Sequence, residues 1–225
     1  SNTISTAGKS PEDDKGNRNN HLLALGHEIE NLYPGIRGKD QVLKFFSDRG
    51  IKWWKSARSG DEAKQSGPTR NMASSQVFCV NFWYPIIEDK ALLLGILRHI
   101  DPSVMGVLEI ESYTTDRKEK LTSPVEFEWV GTHNTLENKK YTRGANATSI
   151  DAYVKGRSGN KRIGFFFEWK MVEEYPERYL GNGKSGQTRI NTYQPYLQSA
   201  NRVFSKDILL EDVLYEPFYQ IFRMG

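Results

Sequence analysis

The sequence has 225 residues, of which 37% are hydrophobic and 26% are charged, and its formal net charge at pH 7 is +3. These proportions exclude a largely disordered or membrane-embedded chain, because no apolar run approaches the roughly 18 residues that a spanning helix needs. The weak positive charge is compatible with a polyanionic partner but does not indicate one. A single cysteine, Cys79, and a polar N-terminus without a signal sequence predict a cytoplasmic protein.

The N-terminal half of the sequence, residues 21–100, carries apolar side chains at helical spacing. Before it, residues 1–20 offer too little apolar surface to offset the entropy lost on ordering, and we expect a disordered lead-in. Pro34-Gly35 separates two predicted helices, and Ser74 is a suitable N-cap for a third. Asp101-Pro102 ends a fourth. The expected helices cover residues 22–32, 42–46, 74–84 and 89–99.

From about residue 104 the apolar side chains alternate, which predicts strands instead of helices. We expect a strand with one exposed face first, a turn at residues 156–160, and a nearly buried central strand last. Helical spacing returns after a Gly-rich loop at residues 181–186. The expected strands cover residues 125–130, 149–154 and 163–172, and the last helical segments cover 190–197 and 208–224.

This order of elements predicts an α+β (α/β) fold, in which helices flank a mixed or mostly antiparallel sheet. We expect one domain over residues 21–225, with a helical part at 21–100 and a sheet core at about 104–200. The sequence ends at Gly225 inside a helix-like stretch, a pattern that fits a truncated chain.

An acidic residue followed two positions later by lysine occurs six times, but only Glu168-Trp169-Lys170 follows a run that demands burial. Period two places Glu168 and Lys170 on the same face of that strand. Charged side chains on an apolar strand are costly unless they have partners. One explanation is a structural ion pair; a second acid nearby favours a metal site instead.

That second acid is Asp151, near the start of the preceding strand. With a turn centred near Ser158, Asp151 falls close to opposite Phe165 and within one or two pleats of Glu168. Two carboxylates at this spacing can converge on one ion, and Mg²⁺ takes one or two carboxylates together with water and phosphate oxygens. An adjacent lysine stabilises charge that develops on a phosphate.

Asp151 followed by Glu168-Trp169-Lys170 at the end of a hydrophobic strand resembles the signature of the PD-(D/E)XK nuclease superfamily. Segments 68–76 and 143–151 also resemble a little-characterised bacterial branch of it, although Ile150 stands where the family name has proline. The resemblance covers most of the chain. It implies a restriction-endonuclease-like core, Mg²⁺ (or Mn²⁺ in its place) held by Asp151 and Glu168, and hydrolysis of DNA, expected to be double-stranded.

Other site residues are harder to place from the sequence. A third acid is expected, and we favour Glu128 over Glu126, on the same predicted strand, and over Glu88, on the preceding helix. Trp53 and Trp54 lie between lysines, as in surfaces that bind single strands, but buried anchors are the favoured interpretation. The predicted substrate-binding residues are Arg143, Arg189 and Gln194.

Two functions remain open at this point: a metal-dependent endonuclease, and a catalytically inactive nuclease fold that binds nucleic acid or a protein. A pure binder has no use for two carboxylates that repel phosphate, and this favours the enzyme. The sequence does not fix the oligomeric state, and a homodimer is compatible with it.

Overall fold

A computed structural model describes residues 21–37, 40–55, 66–114, 116–131, 148–171, 178–200 and 204–224. The helices in these ranges are α1 (Pro34–Arg37), α2 (Gln41–Asp48), α3 (Ser75–Trp83), α4 (Lys90–Ile100), α5 (Gly183–Gln198), α6 (Leu210–Val213) and α7 (Phe218–Met224). The strands are β1 (Gly106–Leu108), β2 (Ile110–Tyr113), β3 (Lys120–Ser123), β4 (Val125–Trp129), β5 (Ile150–Ser158) and β6 (Lys161–Phe167).

The chain divides into two compact units. Unit 1 comprises Ser1–Trp129 and Asp151–Val172, and unit 2 comprises Val130–Ile150 and Glu173–Gly225. Each unit has its own cluster of buried hydrophobic side chains. All five tryptophans of the chain belong to unit 1. None of the helices in the described ranges combines the length and apolar character needed to cross a bilayer.

Two helices of unit 1 begin at polar caps. The side chain of Ser74 accepts the Val77 N–H at the start of α3, as predicted. Asp89 accepts the Leu92 N–H at 2.9 Å at the start of α4. These caps satisfy backbone donors that the first helical turn leaves without partners. Helix α4 then buries Leu93 and Leu97 in the core.

The expected helix at residues 22–32 is wrong. Leu22 instead forms an isolated β-bridge with Asn71, and only a short 3₁₀ turn, Glu28–Asn31, follows. Pro34 begins α1 where we expected a break between helices. Proline is well suited to this place, because the first helical turn does not need its missing N–H.

Strand β5 organises the main sheet. It pairs antiparallel with β6 and with β1, and β4 is a further neighbour. Strands β2 and β3 form a separate antiparallel pair. The predicted fold class, a mixed α/β fold in which helices flank antiparallel sheets, is confirmed. The short strands β1, β2 and β3 were not predicted.

The register of the β5–β6 hairpin differs from the expected one. Phe165 pairs with Val154 and not with Asp151, since the turn consists of the two residues between Ser158 and Lys161. Gly159, the first of these, has φ 55°, in the left-handed region that glycine adopts without strain. The last pair is Ala152 with Phe167, so the next step along both strands brings Asp151 level with Glu168.

The burial of two strands was also predicted incorrectly. Strand β6 is not a buried central strand: among the described strands it pairs with β5 alone, and Phe166 is 48% exposed. One face of β6 packs on the core and the other does not, as period two allows. Strand β4, expected to have one exposed face, buries both Glu126 and Glu128, because each carboxylate has buried or partly buried polar partners.

Unit 2 is built around α5, α6 and α7, which bury side chains such as Tyr193, Leu197 and Leu214. Helix α5 begins at Gly183, so part of the predicted Gly-rich loop is its first turn. Gly186 is needed there, since a Cβ atom would lie 2.0 Å from the backbone of Gly181. The close approach explains why this helix begins in a sequence with poor helix propensity.

Candidate active site

The carboxylate of Asp151 contacts the backbone of the Glu168-Trp169-Lys170 motif. Its Oδ2 accepts a hydrogen bond from the Trp169 N–H at 2.6 Å. The Trp169 ring packs against Phe82 of α3, with 5.1 Å between ring centroids, and this contact fixes the segment that follows β6. The second acid and the motif therefore meet at the ends of two paired strands.

Glu168 and Lys170 form an ion pair. Lys170 Nζ lies 2.6 Å from Glu168 Oε1, and both side chains are partly exposed. The motif follows the end of β6 at Phe167 and does not lie on the strand itself, contrary to our expectation. Its two charged side chains are nevertheless close enough to pair, and Trp169 packs against the core. An amine held beside two carboxylates and open to solvent is suited to contact a bound phosphate.

Burial raises the pKa of the Asp151 carboxyl to about 7, and the negative charge of Glu168 adds to this effect. The Trp169 N–H and Lys170 lower the pKa, and Glu128 raises it further. Two carboxylates in one partly desolvated place do not both ionise readily. The charge of Glu168 therefore disfavours ionisation of Asp151, and a cation between the two carboxylates would offset this repulsion.

Cys79 is on α3 and is buried, as expected for a small hydrophobic side chain. Burial raises the pKa of its thiol, and the charges of Asp151, Glu128 and Glu168 raise it further. The thiol is thus held neutral.

Glu128 is the candidate third acid that the structure brings to this place. It is buried, and its Oε1 accepts hydrogen bonds from Trp54 Nε1 and Gln76 Nε2, each at 2.9 Å. Its φ of 45° is unusual for a residue with a Cβ atom. Such strain persists only where the surroundings enforce it, and it is concentrated at functional sites.

The other two acids considered for this role are elsewhere engaged or exposed. Glu126 is buried in an ion pair with Arg49, whose Nε lies 2.9 Å from Glu126 Oε1, and it accepts the Ser112 hydroxyl. Glu88 is exposed at the end of the 3₁₀ turn before α4. Glu126 therefore has a structural role, and Glu88 faces solvent.

Sequence reasoning missed Gln76, which organises the surroundings of Glu128. Its Oε1 accepts the Trp54 N–H at 2.8 Å, and its Nε2 donates to Lys52 O at 3.0 Å as well as to Glu128. A glutamine on the buried face of an apolar helix is itself a signal, since buried amides need partners. Gln76 thus ties three separate segments of unit 1 together.

The predicted substrate-binding residues are not in unit 1. Arg143 lies outside the described residues. Arg189 is on α5 in unit 2, where its Nη1 donates to Leu180 O at 2.9 Å and its guanidinium lies 5.6 Å from the Tyr219 ring centroid. Gln194, also on α5, lines a cavity of about 280 Å³ within unit 2. Their contact with substrate stays a prediction.

The donor set at Asp151 and Glu168 fits a hard divalent cation. No group of three or more His, Cys, Asp or Glu side chains is arranged to hold a metal among the residues that the structure describes. Mg²⁺ does not require one, because it keeps several waters and uses one or two carboxylates together with phosphate oxygens. The pKa of Asp151 is raised first by burial and then by the charge of Glu168, and a cation held by both carboxylates would offset the second effect.

A mixed α/β fold in which helices flank antiparallel sheets is consistent with the restriction-endonuclease-like class of proteins. The chain belongs to the family described as "Restriction Endonuclease associating with ARP", whose model matches residues 37–224. Membership indicates a nuclease-like function, with nucleic acid as the partner. No curated protein and no solved structure matches the chain.

Proposed function

We propose that the protein is a metal-dependent endonuclease of the PD-(D/E)XK type, which hydrolyses phosphodiester bonds of DNA at Asp151, Glu168 and Lys170. The observation that carries this proposal is the hydrogen bond from the Trp169 N–H to Asp151. It joins the acid of one strand to the motif of the next. A structural ion pair needs only Glu168 and Lys170 and gives no reason for a second, partly buried carboxylate at the same point.

Each residue has a distinct task in this proposal. Asp151 and Glu168 would hold Mg²⁺ or Mn²⁺, which when bound polarises the phosphoryl group and attracts the anionic substrate. Lys170 stabilises negative charge that develops on the phosphate. Glu168 orients the Lys170 amine through their ion pair. Glu128, fixed by Trp54 and Gln76, completes the negative field around Asp151.

Cleavage of DNA by the purified protein tests the proposal. Plasmid and linear duplex DNA should be cut with Mg²⁺ or Mn²⁺ and not with EDTA. Asp151→Asn, Glu168→Gln and Lys170→Ala should each reduce the rate by about 100-fold or more, the usual effect of removing a group that acts in the transition state.

A matched control is available in the same unit. Glu88-Asp89-Lys90 has the same acid-any-lysine pattern, but Glu88 is exposed. Glu88→Gln should therefore leave cleavage unchanged. Cleavage that survives in both Asp151→Asn and Glu168→Gln would refute the assignment, and so would DNA binding by the wild type with no cleavage under any metal.

A further inference from the structure

The adjacent tryptophans of unit 1 have different environments. Trp53 stacks on Phe46 of α2, with ring centroids 4.0 Å apart and planes 10° apart, and it packs against the core. Trp54 is 47% exposed. The expectation that both are buried anchors therefore holds for Trp53 only, and the exposed indole needs another explanation.

The Trp54 ring is exposed but held in place. Its Nε1 donates to Glu128 Oε1, and its backbone N–H donates to Gln76 Oε1. Its hydrogen-bond partner Glu128 is on β4, which neighbours β5, the strand that carries Asp151. A flat aromatic surface is thus fixed in orientation, half open to solvent, beside the acids of the proposed active site.

The chemistry of this surface favours a nucleobase. Every base has a π-face that stacks on an aromatic ring without regard to sequence. Lys52 is exposed on one side of Trp54, and Lys55 follows it, so cations suited to phosphate flank the ring in the chain. Within a duplex both faces of a base are covered by its neighbours, and only an unpaired base is free to stack on a protein ring.

We propose that Trp54 stacks on an unpaired base next to the bond that is cleaved, and that the preferred substrate is DNA with unpaired nucleotides inside or beside a duplex. This inference rests on the proposed function, because it assigns a substrate class to the same site. It also gives the Trp54–Glu128 hydrogen bond a purpose: an acid on the strand next to that of Asp151 orients the stacking ring.

The test compares two DNA substrates that share one labelled strand: a fully paired duplex and a duplex with a central bubble of unpaired nucleotides. The wild type should cut the bubble with a kcat/KM about tenfold higher, within the range of base–aromatic stacking. Trp54→Ala should abolish this preference. Trp54→Phe should keep most of it, since the phenyl ring still stacks although it lacks the N–H that reaches Glu128.

Tyr113→Ala is the matched control, because Tyr113 is 56% exposed on β2 and is not part of the site. It should leave the ratio unchanged. Thermal unfolding by circular dichroism checks that each variant is folded. A wild type that cuts both substrates equally would refute the inference, as would equal losses on both substrates in Trp54→Ala and Trp54→Phe, which would show that Trp54 only supports Glu128.

A wild type that cuts no DNA with any metal would refute the proposed function and leave stacking to be judged by binding alone. Gel mobility shifts without metal, on the bubble and on the paired duplex, then show whether Trp54 stacks on an unpaired base. Weaker binding of the bubble by Trp54→Ala than by the wild type and Trp54→Phe supports stacking. Equal affinities of the three proteins for the bubble overturn it.

Discussion

At the scale of single residues, Asp151 shows how a site can oppose the stability of the fold that contains it. Its carboxyl is partly desolvated and close to Glu168, and its pKa rises from 3.8 to about 7. The native state therefore holds a proton that the unfolded chain releases at much lower pH. The stability that this proton provides is complete below about pH 4 and is lost as the pH rises through about 7.

Asp151→Asn should therefore stabilise the metal-free protein at pH 8 and have little effect at pH 4–5, where Asp151 is already neutral. Asparagine keeps an oxygen for the Trp169 N–H but carries no charge. The expected gain in the free energy of unfolding at pH 8 is about 2–4 kcal/mol, from roughly 1.4 kcal/mol for each unit of pKa shift. Urea unfolding with EDTA at both pH values measures it.

Mg²⁺ provides the control for this prediction. At pH 8 it should raise the stability of the wild type and leave Asp151→Asn nearly unchanged, because the ion binds only the native arrangement of carboxylates. A loss of stability in Asp151→Asn of the same size at both pH values would contradict the assignment of the raised pKa to this residue.

At the scale of elements, the features that are determined by a few neighbouring residues could be predicted from the sequence. The cap Ser74 and the Glu168-Trp169-Lys170 motif act over a few residues, and the local sequence pattern was enough to find them. The network of Trp54, Gln76 and Glu128 joins residues far apart in the chain. No local pattern specifies such contacts, and the register of the β5–β6 hairpin likewise depended on the choice of turn.

Two glycines test how tightly the elements of unit 1 pack. A Cβ atom on Gly156 of β5 would lie 3.0 Å from Phe165 and 3.1 Å from Val104, whereas one on Gly95 of α4 would meet no atom within 4 Å. Gly156→Ala should lower the free energy of unfolding by about 1–3 kcal/mol through overpacking. Gly95→Ala should raise it by about 1 kcal/mol, since alanine favours the helix.

Denaturant unfolding of the two variants measures both effects under the same conditions. The pair is informative because the substitution is the same and only the surroundings differ. Tolerance of Gly156→Ala would show that β5 does not approach Phe165 and Val104 as closely as described. Destabilisation by Gly95→Ala would show that the surroundings of Gly95 are not open.

At the scale of the whole molecule, the charge is close to balanced, with 31 basic and 28 acidic residues. The overall charge therefore gives little attraction for DNA, and the affinity depends more on the local arrangement of acidic side chains. Asp151 and Glu168 are the proposed metal ligands. Without a cation, their negative charges would repel a DNA phosphate at the proposed site.

DNA affinity should consequently depend on metal. We expect the metal-free wild type to bind duplex DNA about 30-fold more weakly than the Asp151→Asn/Glu168→Gln double variant at low salt, because each of the two removed charges contributes roughly 1 kcal/mol of repulsion near the surface. Gel mobility shifts with EDTA measure this difference. Glu88→Gln should resemble the wild type, and equal affinities of wild type and double variant would contradict the expectation.

Because all five tryptophans are in unit 1, the intrinsic tryptophan fluorescence of the protein comes from that unit. Light of a wavelength that only indole absorbs excites unit 1 and not unit 2. Unit 2, with α5, α6 and α7, contains only tyrosine and phenylalanine as aromatic chromophores. Intrinsic emission therefore records the melting of one core while far-ultraviolet ellipticity records both. The difference between the two traces isolates unit 2 without any label.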